Sequence, residues 1–249
     1  MELIADADSR YHEARYYQYQ TAARGLVTAD QLRREFDKLA EYYWYGLRKY
    51  LPADRQKLCL DLPCGYGNFL YFLEKYGYRN CRGYDLDPRQ VALAQTLGLA
   101  AEVGDAFAVL AHLSEPLALI AAVDFLEHLE KSQAVRFLEA CYRALPAGGA
   151  LILRVPSADG PFGAHDLAND ITHAWGVTAN ALRCLLNMVG FTSVRILDFP
   201  NAHPRRGLVS AARWLACRIS RWAAGLCLRV MCIGAPAVWG RSMWAVAIK

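Results

Sequence analysis

The sequence predicts an α/β fold, a mostly parallel, doubly wound sheet with helices on both faces, and three observations carry that expectation. From residue 57 onward, apolar runs of strand length alternate with segments of helical periodicity, the spacing of a parallel sheet with crossover helices. The first run, Leu58-Cys59-Leu60-Asp61-Leu62, breaks into the tight turn Pro63-Cys64-Gly65-Tyr66-Gly67. A second run, Asn80-Cys81-Arg82-Gly83-Tyr84, ends in Asp85 about twenty residues further on, where an acid can reach a ribose bound over the first turn.

Residues 10–50 are helical in pattern and rich in aromatic side chains, with Tyr11, Tyr16, Tyr17, Tyr19, Phe36, Tyr42, Tyr43, Trp44, Tyr45 and Tyr50, and Pro52 closes the segment. This gives a helical cap over 1–52 on one domain spanning 53–249. Within that domain the pattern reads strand 57–62, helix 67–76, strand 80–85, helix 88–97, a short strand near 100–103, helix 106–112 and strand 117–123. Helix 131–145 and strand 149–155 follow, then helix 178–189 with Thr178 as its cap, strand 191–199 and a last strand 242–248. In an open sheet of this kind, ligands lie at the carboxyl ends of the strands.

With 55% hydrophobic residues, a chain of 249 residues can bury one substantial core. The net charge of +4 is small, and the first two thirds of the chain hold no long basic run, so nothing there suggests nucleic acid, and no nucleic-acid partner is expected. Eight cysteines lie at 59, 64, 81, 141, 184, 217, 227 and 232 without CxxC pairs, several of them in apolar segments where cysteine acts as a small hydrophobe. A reduced, cytoplasmic setting is expected. The N-terminus lacks the positive region and apolar run of a signal peptide, so export is not expected.

Gly65 and Gly67 let the backbone turn sharply and approach a ligand, and the helix opened by Asn68 points its N-terminus into the same crevice. A dinucleotide loop would place a third glycine at position 70, which is Leu70. The turn instead resembles the first motif of the class I S-adenosylmethionine-dependent methyltransferases, Asp-x-Gly-Cys-Gly-x-Gly. Asp61, Cys64, Gly65, Tyr66 and Gly67 match it, with Pro63 in place of its first glycine. The resemblance runs over most of 36–200. Gly83-Tyr84-Asp85-Leu86-Asp87-Pro88, Gly104-Asp105-Ala106 and Ala147-Gly148-Gly149 stand in the order of its later motifs. It implies a Rossmann-like, seven-stranded methyltransferase fold and S-adenosyl-L-methionine as cofactor. It also implies that Asp85, with Leu86, lies at the ribose, that Asp105 and Ala106 meet the adenine, and that Asp61, the 64–67 turn and Asp124 line the rest of the cofactor site. Asp105 has a second reading as an ordinary helix cap.

Methyl transfer from a sulfonium is an in-line displacement, so catalysis reduces to alignment and, for an alcohol, removal of its proton. The groups placed to do this follow the fourth and fifth strands: Asp124, Glu127 and His128, then Asp170 and His173. Asp124-x-x-Glu127-His128 resembles a pattern of ubiquinone-pathway and small-RNA O-methyltransferases, which implies a divalent cation, Mg²⁺ or Mn²⁺, held by Asp124, Glu127, His128 and His173. The alternative is a structural turn in which the same side chains satisfy backbone groups. His173, oriented by Asp170, is the general-base candidate, with His128 beside it. Val155-Pro156-Ser157, Asp170-x-Thr172-His173, Thr178 and Gly190-Phe191 resemble methyltransferases encoded with bacterial surface-polysaccharide genes. That resemblance implies O-methylation of a hydroxyl on a sugar or glycan intermediate. Two other readings remain: O- or N-methylation of a phenolic or natural-product small molecule, and a non-catalytic cofactor-binding assembly protein.

Residues 200–241 form an insert before the last strand. Leu208, Ala212, Leu215, Ile219, Leu226 and Val230 share one helical face, and Arg206, Arg213, Arg218, Arg221 and Arg229 lie away from it. With Trp214 and Trp222, this suits peripheral contact of 204–232 with an anionic membrane at the inner membrane face. The alternatives are a helix packed on its own domain and a homodimer contact.

Overall fold

The computed structural model describes residues 28–113, 115–160, 163–198, 207–231 and 234–249. The expected helical segment upstream of residue 28, with Tyr11, Tyr16, Tyr17 and Tyr19, and the arginine at 206 lie outside the described residues. The elements run α1 (Ala29–Leu47), β1 (Leu58–Asp61), α2 (Asn68–Lys75), β2 (Cys81–Asp85), α3 (Pro88–Thr96), β3 (Ala101–Val103), α4 (Ala106–His112) and β4 (Leu117–Val123). A 3₁₀ turn (Leu126–His128), α5 (Lys131–Ala144), β5 (Ala150–Pro156), α6 (Gly163–Ala168), α7 (Ala179–Val189), β6 (Ser193–Leu197), α8 (Leu208–Val230) and β7 (Ser242–Ile248) complete them.

The seven strands form one sheet in the order β3-β2-β1-β4-β5-β7-β6. Pairs within β3-β2-β1-β4-β5 are parallel, and β7 is antiparallel to both β5 and β6. The order reverses at β1, so the crevice beyond the ends of β1, β2 and β4 is the ligand position that topology dictates.

Strand residues alternate between two cores, as the period of two requires. Leu58, Leu60, Ile120, Leu151, Leu153, Met243 and Ala245 face α4, α5 and α7. Cys59, Leu119, Ala121, Ile152, Trp244 and Val246 face the other way, toward α1, α2 and α3. Helix α1 opens at Thr28, whose hydroxyl accepts the Gln31 amide while the Gln31 side chain accepts the Thr28 amide, a reciprocal cap. It buries Leu32, Phe36, Ala40, Tyr43 and Leu47 at helical spacing. Tyr43 sets its ring edge on Trp244 at 5.0 Å and on Phe72 at 5.5 Å, and Phe36 stacks on Tyr66 of the glycine turn at 5.6 Å. Helix α1, the described part of the expected cap, thus shares a core with the sheet and touches the glycine turn.

Helix α8 lies on the same edge as the crevice. Because β6 runs parallel to β5, it ends at that edge, and β7 starts there with Ser242 opposite Pro156. Asp198, just past β6, accepts Arg221 of α8 at 2.9 Å and the Trp239 amide at 3.0 Å on one carboxylate oxygen. The helix meets the body on a side marked by half-buried Ser210, Trp214, Arg221 and Gly225, and none of its 23 residues is buried. The alternative in which the apolar face packs on the domain does not hold: Leu208, Leu215, Ile219, Leu226 and Val230 are all exposed.

Candidate active site

The glycine turn is built by backbone demand. The Leu62–Pro63 peptide bond is cis. The Cys64 amide donates to Tyr84 O at 2.9 Å, which ties the turn to β2. Gly65 (φ +52°) and Gly67 (φ +88°) adopt left-handed conformations that L side chains rarely take. Their surroundings differ. A Cβ on Gly65 would meet only Gln90 Oε1 at 3.9 Å, whereas one on Gly67 would fall 2.5 Å from Leu99 Cδ1 and 3.1 Å from Ala94 Cβ. Gly65 therefore opens on space, and Gly67 packs helix on helix beneath.

Two carboxylates meet at this turn. Asp85 accepts the Gly65 amide at 2.8 Å on Oδ2 and the Asp87 amide at 2.9 Å on Oδ1, so it braces the turn. Burial pushes its pKa up against those two amides. Asp61 is 1% exposed, and neither of its carboxylate oxygens has a hydrogen-bond partner among the described residues. The nearby Leu70 amide helps only weakly, and burial together with the Asp85 charge raises the Asp61 pKa well above the carboxylate range. A buried acid with neither oxygen in a full hydrogen bond, at the end of β1 beside the turn, calls for a cationic group. S-adenosylmethionine carries an ammonium and a sulfonium, and these residues fit it.

Other expected contacts fall out differently. Cys64 is buried, and its side chain packs where a Cβ on Gly83 would stand 2.7 Å away, so the thiol fills the space over β2. Burial raises its pKa. Asp105 caps α4 by accepting the Ala108 amide at 2.9 Å, the second of its two readings, while Ala106 is buried behind it. Leu86 is 68% exposed at the end of β2, free to cover a ligand. Tyr66 is half-buried on Phe36.

After β4 the chain turns through Asp124, at φ +52° the one non-glycine residue with positive φ among the described residues. Aspartate tolerates this conformation better than most residues, and the turn leads into the 3₁₀ segment that carries Glu127 and His128. Arg154 of β5 donates to Asp124 Oδ2 at 2.7 Å. Asp124 stands in a concave part of the surface, enclosed by protein yet with 41% of its side chain open to solvent. Enclosure raises its pKa, opposed by Arg154 and His173.

Glu127, His128 and His173 converge so that one ligand atom from each lies within 4.8 Å of the others. Asp124, expected as a fourth ligand, is outside this group, because its carboxylate turns to Arg154. Glu127 is 1% exposed with both oxygens unpartnered among the described residues, and burial, then Asp124, raises its pKa well above the usual range. The Ala174 amide donates to Glu127 O at 2.8 Å, which pins the 170–174 loop to the 3₁₀ turn.

Asp170 reaches His128 rather than orienting His173 as expected. Thr172 donates its hydroxyl to Asp170 Oδ1 at 2.6 Å, and the Thr172 hydroxyl oxygen lies 2.8 Å from His128 Nδ1. A hydroxyl has one proton; with that proton on Asp170, His128 donates from Nδ1 and keeps its lone pair on Nε2. Against the pull of burial, the Thr172 hydroxyl and amide hold Asp170 below its usual range. Burial and the neighbouring His173 lower the His128 pKa to about 4, so its imidazole is neutral at physiological pH. Sequence reading missed Thr172 and Arg154. The only signal for the first was the Asp-x-Thr spacing of a local turn; the second sat inside an apolar strand.

A sheet reversed at β1, a glycine turn braced by an acid and an orphaned carboxylate beside it define a nucleotide-type cofactor site. Residues 14–196 match the family model described as "Methyltransferase domain". The chain belongs to the class I S-adenosylmethionine-dependent methyltransferases, and it is an enzyme of that family that uses S-adenosylmethionine. Solved structures share the fold. A SAM-dependent methyltransferase from Archaeoglobus fulgidus is 18% identical with a TM-score of 0.63, covering 94% of this chain and 99% of its own. An S-adenosylmethionine-dependent methyltransferase from Mesorhizobium loti is 18% identical at 0.58, covering 84% and 98%. Phosphoethanolamine N-methyltransferase 2 of Haemonchus contortus, solved with S-adenosyl-L-methionine, is 16% identical at 0.54, covering 90% and 60%. No curated protein matches the chain in sequence.

Proposed function

We propose that the enzyme methylates a hydroxyl on a sugar or glycan intermediate. The observation that carries this reading is the Asp170-Thr172-His128 chain with Glu127 and His173 at the mouth of the cofactor crevice. An aliphatic hydroxyl holds its proton far more tightly than a phenol or an amine at neutral pH, and needs a base or a cation beside it. S-adenosylmethionine supplies an electrophilic methyl group. The acceptor oxygen attacks that carbon as the C–S bond pair returns to sulfur, and the hydroxyl proton passes to His173. Asp124 then balances the imidazolium charge. The donor set of one carboxylate and two imidazoles also suits Mg²⁺, Mn²⁺ or Zn²⁺, which would lower the pKa of a coordinated hydroxyl. In that version Thr172 fixes the tautomer of His128 and leaves Nε2 as the ligand atom.

The test is turnover with nucleotide-linked sugars and with phenols, for the native chain and for His173→Ala, beside calorimetry of S-adenosylmethionine binding. Turnover on the sugar should fall by about 10²–10⁴-fold in the variant, with cofactor affinity unchanged. Loss of cofactor binding with activity would make His173 structural. Activity on phenols alone would move the acceptor to the natural-product reading. A chelator separates the two versions: loss restored by Mg²⁺ or Mn²⁺ places an ion on the cluster, and indifference leaves His173 as the base.

A further inference from the structure

We propose that α8 is an in-plane membrane-surface helix that seats the crevice edge of the enzyme on an anionic phospholipid bilayer. Its apolar stripe points away from the body. At 3.6 residues per turn, Leu208, Ala212, Leu215, Ile219, Leu226 and Val230 form one line, with Trp222 at its margin. Leu208 is 91% exposed, Trp222 71% and Val230 78%. The side held by Asp198, through Arg221, lies across the helix from that line. Contiguous exposed apolar patches mark interaction surfaces, whereas apolar residues scattered singly do not.

Charge selects the occupant. Residues 199–241 contain no aspartate or glutamate, and Arg218 and Arg229 flank the stripe on one side, with Arg213 further round the helix beyond its other edge. Arg218 lies over the Trp214 ring at 4.8 Å, between the stripe and the side that meets the body. The long arginine side chains around the stripe can reach up to lipid phosphates while the stripe enters the acyl boundary. A second copy docked stripe to stripe would bring six of these guanidiniums together with no acid from either insert between them. Among the described residues, no helix is long and apolar enough to cross a membrane.

Topology gives the docking a purpose. The helix follows β6 and precedes β7 at the edge where β1, β2, β4 and β5 also end, and the Gly160 loop after β5 abuts Gly240, whose carbonyl would stand 3.2 Å from a Cβ on Gly160. A bilayer under α8 therefore lies along the acceptor side of the crevice. This rests on the reading above and narrows it to an acceptor held at a lipid surface. The test reads binding without turnover, so the two can fail separately.

The experiment is co-sedimentation of the full chain with vesicles of phosphatidylglycerol and phosphatidylcholine, and with phosphatidylcholine alone, at low and high salt. The native chain should pellet with the anionic vesicles and be released by salt. Arg213→Glu, Arg218→Glu and Arg229→Glu together should weaken partitioning on the order of a hundredfold. Ile219→Glu should also release the chain, and brominated lipids should quench a signal that Trp222→Phe removes. All five positions are exposed, so calorimetry of S-adenosylmethionine should show the variants folded. Native chain left in the supernatant with anionic vesicles would overturn the proposal, as would pelleting that neither variant alters. A concentration-dependent dimer abolished by Ile219→Glu, without vesicle binding, would give the stripe to a second copy and overturn it equally.

Discussion

Glu127 is where the demands of folding and of chemistry oppose one another. Its carboxyl is buried, lacks a hydrogen-bond donor among the described residues, and is pushed well above the ordinary value of 4.5 by burial and by Asp124. A raised pKa in the folded state means that the native chain binds a proton which the unfolded chain releases. Stability therefore falls as pH rises through 4.5 toward the folded pKa, and below 4.5 the penalty is absent. Glu127→Gln removes the ionisation and should raise the melting temperature at pH 7.5, by roughly 2–4 °C for each kcal/mol relieved. The gain should vanish toward pH 4.5, and turnover should drop at least about tenfold. Thermal scans across that range beside initial rates decide it; a lower melting temperature at pH 7.5 would mean that the carboxylate has a stabilising partner. The residues that sequence exposed here, Asp124, Glu127, His128 and His173, are those whose side chains carry obvious chemistry. Thr172 stayed hidden because a threonine two residues after an aspartate looks like a turn, and its link to His128 spans 44 positions that only the fold brings together.

At the scale of elements, the glycine turn shows how a motif can be legible while its physics is misassigned. The sequence places both Gly65 and Gly67 against the ligand, yet Gly67 meets Leu99 and Ala94, and Gly65 alone borders open space. Gly67→Ala should destabilise the fold by about 2–4 kcal/mol, from overpacking added to left-handed strain. Gly65→Ala should cost about 1 kcal/mol of stability while weakening S-adenosylmethionine binding more than Gly67→Ala does in protein that remains folded. Urea titrations and calorimetry on both variants separate the cases, and equal affinity losses would show that the turn responds as one unit. The longer helices and strands were readable because their apolar spacing persists over several turns. Helix α6 and the 3₁₀ turn were not, since six and three residues carry too little periodicity to register.

For the whole molecule, alternation of strands and helices was enough to give a doubly wound sheet, and the order of motifs placed the crevice. What alternation could not supply was the mounting of the insert, which depends on a single carboxylate at the end of β6 meeting an arginine in the middle of α8. Asp198 joins α8, the Trp239 amide and the end of β6 through one oxygen, with Gly240 so close that a Cβ there would stand 2.8 Å from Oδ1. Hydrogen bonds to a charged group contribute about 1.5–3 kcal/mol each. Asp198→Ala should therefore raise the population of a detached α8 by tenfold or more while leaving the sheet intact. The readout is limited trypsin cleavage at Arg213, Arg218, Arg221 and Arg229, which should accelerate by a similar factor, set against an unchanged S-adenosylmethionine isotherm. Asp61 and Asp85 stand on β1 and β2, across β4, β5 and β7 from Asp198, so cofactor affinity has no path by which to follow. Unchanged cleavage would mean that the half-buried side of α8 holds it without Asp198, and a weakened isotherm would mean that the insert and the cofactor crevice are coupled through the sheet.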